Sequence, residues 1–218
     1  LLVLAKQGKI HIDYAIFVEL DTESPDTLSY VSEVAAPYAA RAGIPLMRVK
    51  FSLKQAILEN PSFSPVPFWG VRDQLFGRRQ CSLHAKHRPF KRAVRALMRA
   101  TGAKRALAIM GISSDEAVRI RSSDVRYMRF SYPLVDLSLD KNTCRDIIAA
   151  ELPIPAESSC WFCPYRSGRS QLELIKKYPH LEHEALEIQA RVNSARLAQG
   201  RDEIRVLRAS TEQSVFFY

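Results

Sequence analysis

Three short apolar runs, each closing on polar residues, constrain this chain more than any other feature. Ala15-Ile16-Phe17-Val18-Glu19-Leu20 reads as a strand and ends in Asp21-Thr22-Glu23-Ser24-Pro25. That ending offers a carboxylate and hydroxyls, then a proline in an early helix position. Residues 26–42 have helical character, and Gly43 is a natural stop. Pro45-Leu46-Met47-Arg48-Val49-Lys50 alternates as a second strand. Leu1 to Gly8 reads as the end of an amphipathic helix. Helix, strand, helix, strand is the grammar of an α/β fold with a parallel sheet flanked by helices. The third run, Arg105-Ala106-Leu107-Ala108-Ile109-Met110, ends at Gly111-Ile112-Ser113-Ser114-Asp115-Glu116. Ligands of open α/β sheets bind at such carboxyl ends of strands.

The remaining segments fill in around these runs. Residues 59–80 lack periodicity, carry Pro61, Pro65, Pro67 and Gly77, and read as a long loop. A helix follows with Phe90, Val94, Leu97 and Met98 on one stripe and Lys91, Arg92, Arg95 and Arg99 on its other side, closed by Gly102. Tyr132 to Leu137 reads as a short extended segment. The stretch Leu139 to Cys144 opens a helix to about Ala150. Residues 169–177 and 181–199 read as helices, the second with Leu181, Ala185, Ile188, Val192 and Ala195 at helical spacing and Gly200 as its stop. The tail ends in Val215-Phe216-Phe217-Tyr218. These patterns divide the chain into an α/β domain over residues 1–137 and a helical C-terminal region over 138–218.

At 218 residues, with 47% hydrophobic and 25% charged residues, the composition is that of an ordinary globular protein. No apolar run approaches the ~20 residues of a membrane span. No signal peptide is visible in Leu1-Leu2-Val3-Leu4-Ala5 and no membrane partner is expected, while the use of only four cysteines points to a reducing cytoplasm. The net charge of +9 favours an anionic partner, either nucleotide phosphate or nucleic acid. A homo-oligomer is also compatible with this composition.

Four cysteines do not make a secreted disulfide scaffold. Cys160 and Cys163 share the turn Ser158-Ser159-Cys160-Trp161-Phe162-Cys163-Pro164-Tyr165-Arg166-Ser167, while Cys81 and Cys144 stand singly upstream. Thiolates take zinc or an iron–sulfur cluster. One close pair with two distant singles favours a cluster held between separate elements, with zinc as the alternative. The segment around Cys81 is basic, with His84, Lys86, His87 and Arg88 just before a helix start. Such a segment attracts phosphate and offsets the charge of thiolates. Further on, Glu116 and Arg119 are three apart and can pair on a helix face, and Gly111 allows close approach to a ligand.

Taken together and in this order, these stretches resemble a known family. Asp21-Thr22 after an apolar strand, the Cys81–Pro89 segment, Gly111-Ile112-x-x-Asp115-Glu116-x-x-Arg119, Tyr132-Pro133-Leu134-x-Asp136 and Cys160-x-x-Cys163-Pro164-Tyr165 look like the phosphoadenosine phosphosulfate (PAPS) reductase-like branch of the adenine-nucleotide alpha-hydrolase, or PP-loop ATP pyrophosphatase, superfamily. The likeness runs from about residue 1 to 190. It implies a Rossmann-like (HUP-type) parallel sheet binding ATP or a related adenylyl nucleotide, followed by a helical part carrying a cysteine cluster. It implies nucleotide-binding roles for Asp21, Thr22, Lys86, Arg88, Gly111, Glu116 and Arg119. It also implies a [4Fe-4S] cluster, with Cys81, Cys144, Cys160 and Cys163 as candidate ligands.

The chain departs from the family pattern in three places. Glu23 stands where the family's Asp-Thr-Gly has glycine. The Ser-Gly-Gly-x-Asp-Ser-like phosphate loop and first strand, expected just upstream of Leu1, are not in the sequence. No cysteine follows Cys163 to serve as the attacking thiol of a sulfonucleotide reductase. The expected function is therefore an iron–sulfur enzyme using ATP or an adenylyl nucleotide for substrate adenylation or sulfur transfer, with nucleic acid as one candidate substrate. The alternatives are a strict PAPS/APS reductase and a non-catalytic nucleotide- or nucleic-acid-binding module with a structural metal. No catalytic residue is assigned.

Overall fold

The computed structural model describes residues 1–60, 65–70, 72 and 74–208. Pro61, within the expected long loop, and the aromatic tail Val215–Tyr218 lie outside the described residues. The chain divides into two compact units of three segments each. The first holds Leu1–Phe17, Asp26–Val49 and Phe90–Ala156, and the second Val18–Pro25, Lys50–Pro89 and Glu157–Tyr218.

The α/β grammar of the opening is present. Helix α1 (Leu2–Lys6) precedes strand β1 (Ala15–Leu20). Helix α2 (Pro25–Tyr30) passes through a π-helical turn (Val31–Ala35) into α3 (Ala36–Arg41), and β2 (Leu46–Phe51) follows. Strands β1 and β2 pair with each other. Ala15 N–H donates to Pro45 O at one end and Asp21 N–H to Phe51 O at the other, so the two strands run in the same direction. Each strand begins in the first unit and ends in the second.

In the first unit, α5 (Arg88–Thr101), of which all but the first two residues belong here, lies over a second parallel pair, β5 (Ala106–Ile109) and β6 (Met128–Ser131), paired Ala106↔Met128 through Ile109↔Ser131. Val94, Ala108 and Met128 form the core of this packing, with Ile16, Phe90 and Met98 against it. The expected apolar stripe of α5 is therefore its buried face. A 3₁₀ turn (Ser114–Arg119) follows β5. Tyr132 to Leu137 is not extended, as the sequence suggested, because Pro133 sits at the first turn of α6 (Pro133–Asp136), where its missing N–H costs nothing. Helix α7 (Lys141–Ala149) is capped by Asp140, whose carboxylate accepts from Thr143 N–H at 2.7 Å. Buried Tyr38 donates its hydroxyl to Glu151 at 2.6 Å, and Lys6 and Gln7 reach the same carboxylate.

The second unit has the larger core. Helix α4 (Leu53–Glu59), which the sequence pattern did not suggest, is capped by Ser52. The expected loop over 59–80 instead contains a short antiparallel hairpin, β3 (Phe68–Gly70) and β4 (Leu75–Phe76), and β3 pairs on its other side with β7 (Ile204–Arg205). Its prolines hid the strands because the ladder is only two or three residues long. At Gly70 a Cβ would collide with the ring of Phe76, so the hairpin requires glycine there. Helices α8 (Gly168–Lys177) and α9 (His180–Leu197) complete the unit. The stripe Leu181, Ala185, Ile188 and Val192 is buried with Leu53, Ile57, Phe68, Trp161 and Phe162. Side-chain amides close the end of the chain: Gln189 Oε1 accepts from Val206 N–H, and Asn193 both accepts from and donates to the Ile204 backbone.

Ile188 is fully buried at the centre of that stripe. Ile188→Ala should lower unfolding free energy by about 2–5 kcal/mol, the range for truncating a buried aliphatic side chain, measured by urea denaturation. A change below ~1 kcal/mol contradicts this packing.

Candidate functional site

The cysteine turn does not stand alone. It is docked by its main chain onto the polar loop after β1. Residues 23 and 160 form an antiparallel bridge, Ser24 N–H donates to Ser159 O at 3.1 Å, and Trp161 N–H donates to Thr22 O at 3.0 Å. Trp161 and Phe162, in edge-to-face contact with centroids 4.8 Å apart, drive this docking by filling the second unit's core. With those two rings inward, Cys160 and Cys163 fall on either side of a turn closed by Cys163 N–H donating to Cys160 O at 3.0 Å. Arg166 ties the turn down by donating to the Ser159 and Ser170 hydroxyls.

The residues brought together here are Thr22, Glu23, Lys86, Ser158 and Cys160. Thr22 donates its hydroxyl to Cys160 Sγ at 3.4 Å. The Glu23 side chain is fully buried and accepts from Lys86 Nζ and from the Ser158 hydroxyl, each at 3.2 Å. The Lys86 side chain is 43% exposed, so it remains partly accessible from solvent. It is carried by a π-helical turn (Ser82–His87) that starts just after Cys81, a backbone form often found at functional sites. Cys81 is half-buried and packs against the same core as Cys160. Burial pushes the Cys160 thiol up to about 11. Glu23 and Cys163 add to that rise, while the Thr22 hydrogen bond and Lys86 oppose it.

Two other expected ligand residues of this unit have local duties. Asp21 accepts from Ser52 Oγ, from Leu53 N–H at 2.8 Å and from Lys54 N–H at 3.3 Å, so its carboxylate caps the first turn of α4. Arg88 lies 3.0 Å from His84 Nδ1. The remaining expected residues belong to the first unit. Glu116 accepts from Arg119 at 2.7 Å, the pairing the sequence spacing suggested. Gly111 follows β5, and a Cβ added there would meet its neighbours only at ordinary van der Waals distance, so no atom of the described chain demands glycine. Asp115 accepts from Lys141 N–H at the start of α7. Cys144, on α7, is half-buried, and burial raises its thiol pKa.

The thiols suit a soft metal in kind. Cys160 and Cys163 share one turn, and Cys81 belongs to the same unit. Among the described residues, no three His, Cys, Asp or Glu side chains are gathered closely enough to hold a metal ion. Sequence reasoning missed Glu23, which it took only as a replacement for glycine, and also Ser158 and Arg166. A signal for Glu23 existed, since Lys86 lies in a stretch with no nearby acidic residue to pair with.

Removing Lys86 strands a buried carboxylate. Lys86→Met should destabilise the protein by about 1–3 kcal/mol, and adding Glu23→Gln should recover most of that loss in urea denaturation. An equal loss in the double variant rules out this pair as the cause. In the metal-free, reduced protein, alkylation of Cys160 should keep accelerating above pH 9 and level only near 11. The sign follows from the raised value: the fold favours the protonated thiol, so its stabilisation is complete below about 9 and is lost as pH rises through about 11. Levelling near 9 contradicts the burial of this thiol.

Comparison with known proteins returns no matching family model, no matching curated protein and no matching solved structure.

Proposed function

We propose that this chain is an iron–sulfur, nucleotide-binding enzyme of the PAPS reductase-like kind, which uses ATP or an adenylyl nucleotide for substrate adenylation or sulfur transfer. The observation that carries this reading is the bridge between Glu23 and Cys160. It joins the two stretches on which the family resemblance most depends, Asp21-Thr22 and Cys160-x-x-Cys163, although they are far apart in sequence. A carboxyl-end loop, a partly exposed lysine and a cysteine turn in one place suit a phosphate-bearing ligand beside a soft metal centre.

In this reading Cys160 and Cys163, which share one turn, would supply two ligands to the metal group, and Cys81 and Cys144 are the candidates for the others, which would have to be drawn in on loading. A bound iron–sulfur cluster supplies a soft centre for sulfur or for single electrons. The chain's own residues do the rest. Lys86 offsets the negative charge of thiolate and phosphate. Thr22, held by its bond to Cys160, offers a hydroxyl at the loop. Asp21 keeps that loop in place by capping α4. Since the fold holds the Cys160 thiol protonated, metal loading must release that proton and is favoured by higher pH.

Anaerobic purification with iron, sulfide and zinc analysis tests the metal reading. The expected protein is brown, contains iron and sulfide in equal amounts, and loses both in Cys160→Ser and Cys163→Ser. Colourless protein with zinc and no iron overturns the cluster. Full iron content in Cys144→Ala removes Cys144 from the ligand set. For the nucleotide, calorimetry with ATP should show binding that weakens by about tenfold in a Glu23→Gln, Lys86→Met double variant, the scale of one charge-assisted hydrogen bond. Unchanged ATP affinity removes Lys86 from the site.

A further inference from the structure

From Gln74 to Ser114 the sequence contains no aspartate or glutamate, yet it is crowded with lysine and arginine. Helical spacing puts Arg92, Arg95 and Arg99 along one exposed side of α5, opposite the Val94 and Met98 stripe that packs on the sheet. Gly102, with φ +73°, ends the helix and turns the chain through Lys104 and Arg105 into β5. Ala106 N–H donates to Tyr127 O, which brings Arg105 beside Arg126 and Tyr127 at the start of β6. Six cations thus converge around the amino-terminal ends of β5 and β6. None of the six is in an ion pair with a described carboxylate, whereas neighbouring Lys91 is neutralised by Asp124 at 2.6 Å. One of them, Arg99, is accounted for by the negative end of the α5 dipole. The others have no such explanation.

The surface has shape as well as charge. A shallow depression of about 330 Å³ is lined by Arg95, Arg99, Met98, Gly102, Ala103 and Tyr127. The Arg95 guanidinium lies over the Tyr127 ring at 4.8 Å from its centroid. Tyr127 presents its ring there while its hydroxyl is buried and has no hydrogen-bond partner among the described residues. A guanidinium held on an aromatic ring keeps its other face available for stacking. Cations that track a backbone beside a flat stacking platform are what a nucleic-acid strand with unpaired bases requires.

We propose that this surface, formed by the end of α5 and the amino-terminal ends of β5 and β6, binds single-stranded nucleic acid. Arg92, Arg99, Lys104, Arg105 and Arg126 contact phosphates, and Arg95 on Tyr127 receives a base. It lies at the end of the strands opposite to Gly111, Glu116 and Arg119, and it uses no cysteine. The surface therefore extends the function above by naming a substrate class, and it holds or fails separately from the nucleotide and cluster reading.

The test is fluorescence anisotropy of a labelled single-stranded oligonucleotide against salt, with DNA and RNA arms and a duplex of the same sequence. Each phosphate contact adds about 0.7 to the slope of log affinity on log salt for a single strand. The variant Arg99→Gln, Lys104→Gln, Arg105→Gln should lower that slope by about two and weaken binding at least ~10-fold at low salt. Arg95→Lys keeps the charge and should still weaken binding several-fold through lost stacking. A matched triple at exposed cations elsewhere, Lys9→Gln, Arg145→Gln, Lys176→Gln, should leave the slope unchanged. If the first triple does not fold by circular dichroism, Arg92→Gln with Arg126→Gln replaces it, with an expected slope change of about 1.4. The proposal is overturned by an unchanged slope, by an equal loss in the matched triple, by duplex binding as tight as the single strand, or by anionic vesicles that bind the protein and are not displaced by the oligonucleotide. Iron content and ATP affinity measured on the same variants should stay at their original values, which separates this surface from the cysteine turn.

Discussion

A carboxylate with no exposed surface anchors the second unit. Glu23 is tolerable inside the protein because Lys86 and Ser158 satisfy it, and because main-chain bonds on both sides hold the cysteine turn against its loop. A glycine at this position could not recruit either partner. At this position the protein therefore builds its own polar contact. That contact sets which way Lys86 points, and through it how much positive charge the cysteine turn experiences.

The protein holds polar side chains in two different settings. Around Cys160 the polar groups are few and mostly enclosed, with Lys86 partly exposed, and burial dominates the thiol's acidity. Around the end of α5 the charges are open to solvent, of one sign and without partners in ion pairs among the described residues. Enclosed polar groups favour a defined small ligand, because each unpaired atom costs about 1–3 kcal/mol. An open field of one sign instead favours a flexible polyanion, whose binding follows counterion release.

The strands and long helices were legible because their periodicity is strong: Ala15–Leu20 as an apolar run, Leu181 to Val192 as a stripe, and Gly43 and Gly200 as stops with positive φ. The hairpin at Phe68–Phe76 was not legible, since two- and three-residue strands carry too few positions to show alternation, and prolines around them point the other way. Helix α4 was hidden for a related reason. Its start is held partly by Asp21, a residue more than thirty positions earlier, so the local sequence carries only half of the signal. Residue types in the site, cysteines and a lysine among them, could be read from spacing. The identity of Lys86's partner could not, because a contact across 63 positions leaves no periodic trace.

The same separation has a consequence during synthesis. Glu23 and Ser158 are 135 positions apart, so at ~5–20 residues per second the ribosome needs roughly 7–27 s to deliver the second after the first. Throughout that interval the carboxylate is hydrated and the β1 loop lacks its docking strand, while every segment of the first unit has already been made by Ala156. The cysteine turn is thus the late-arriving piece. Its thiols become enclosed only when Trp161 and Phe162 close the core, after every segment of the first unit has been made.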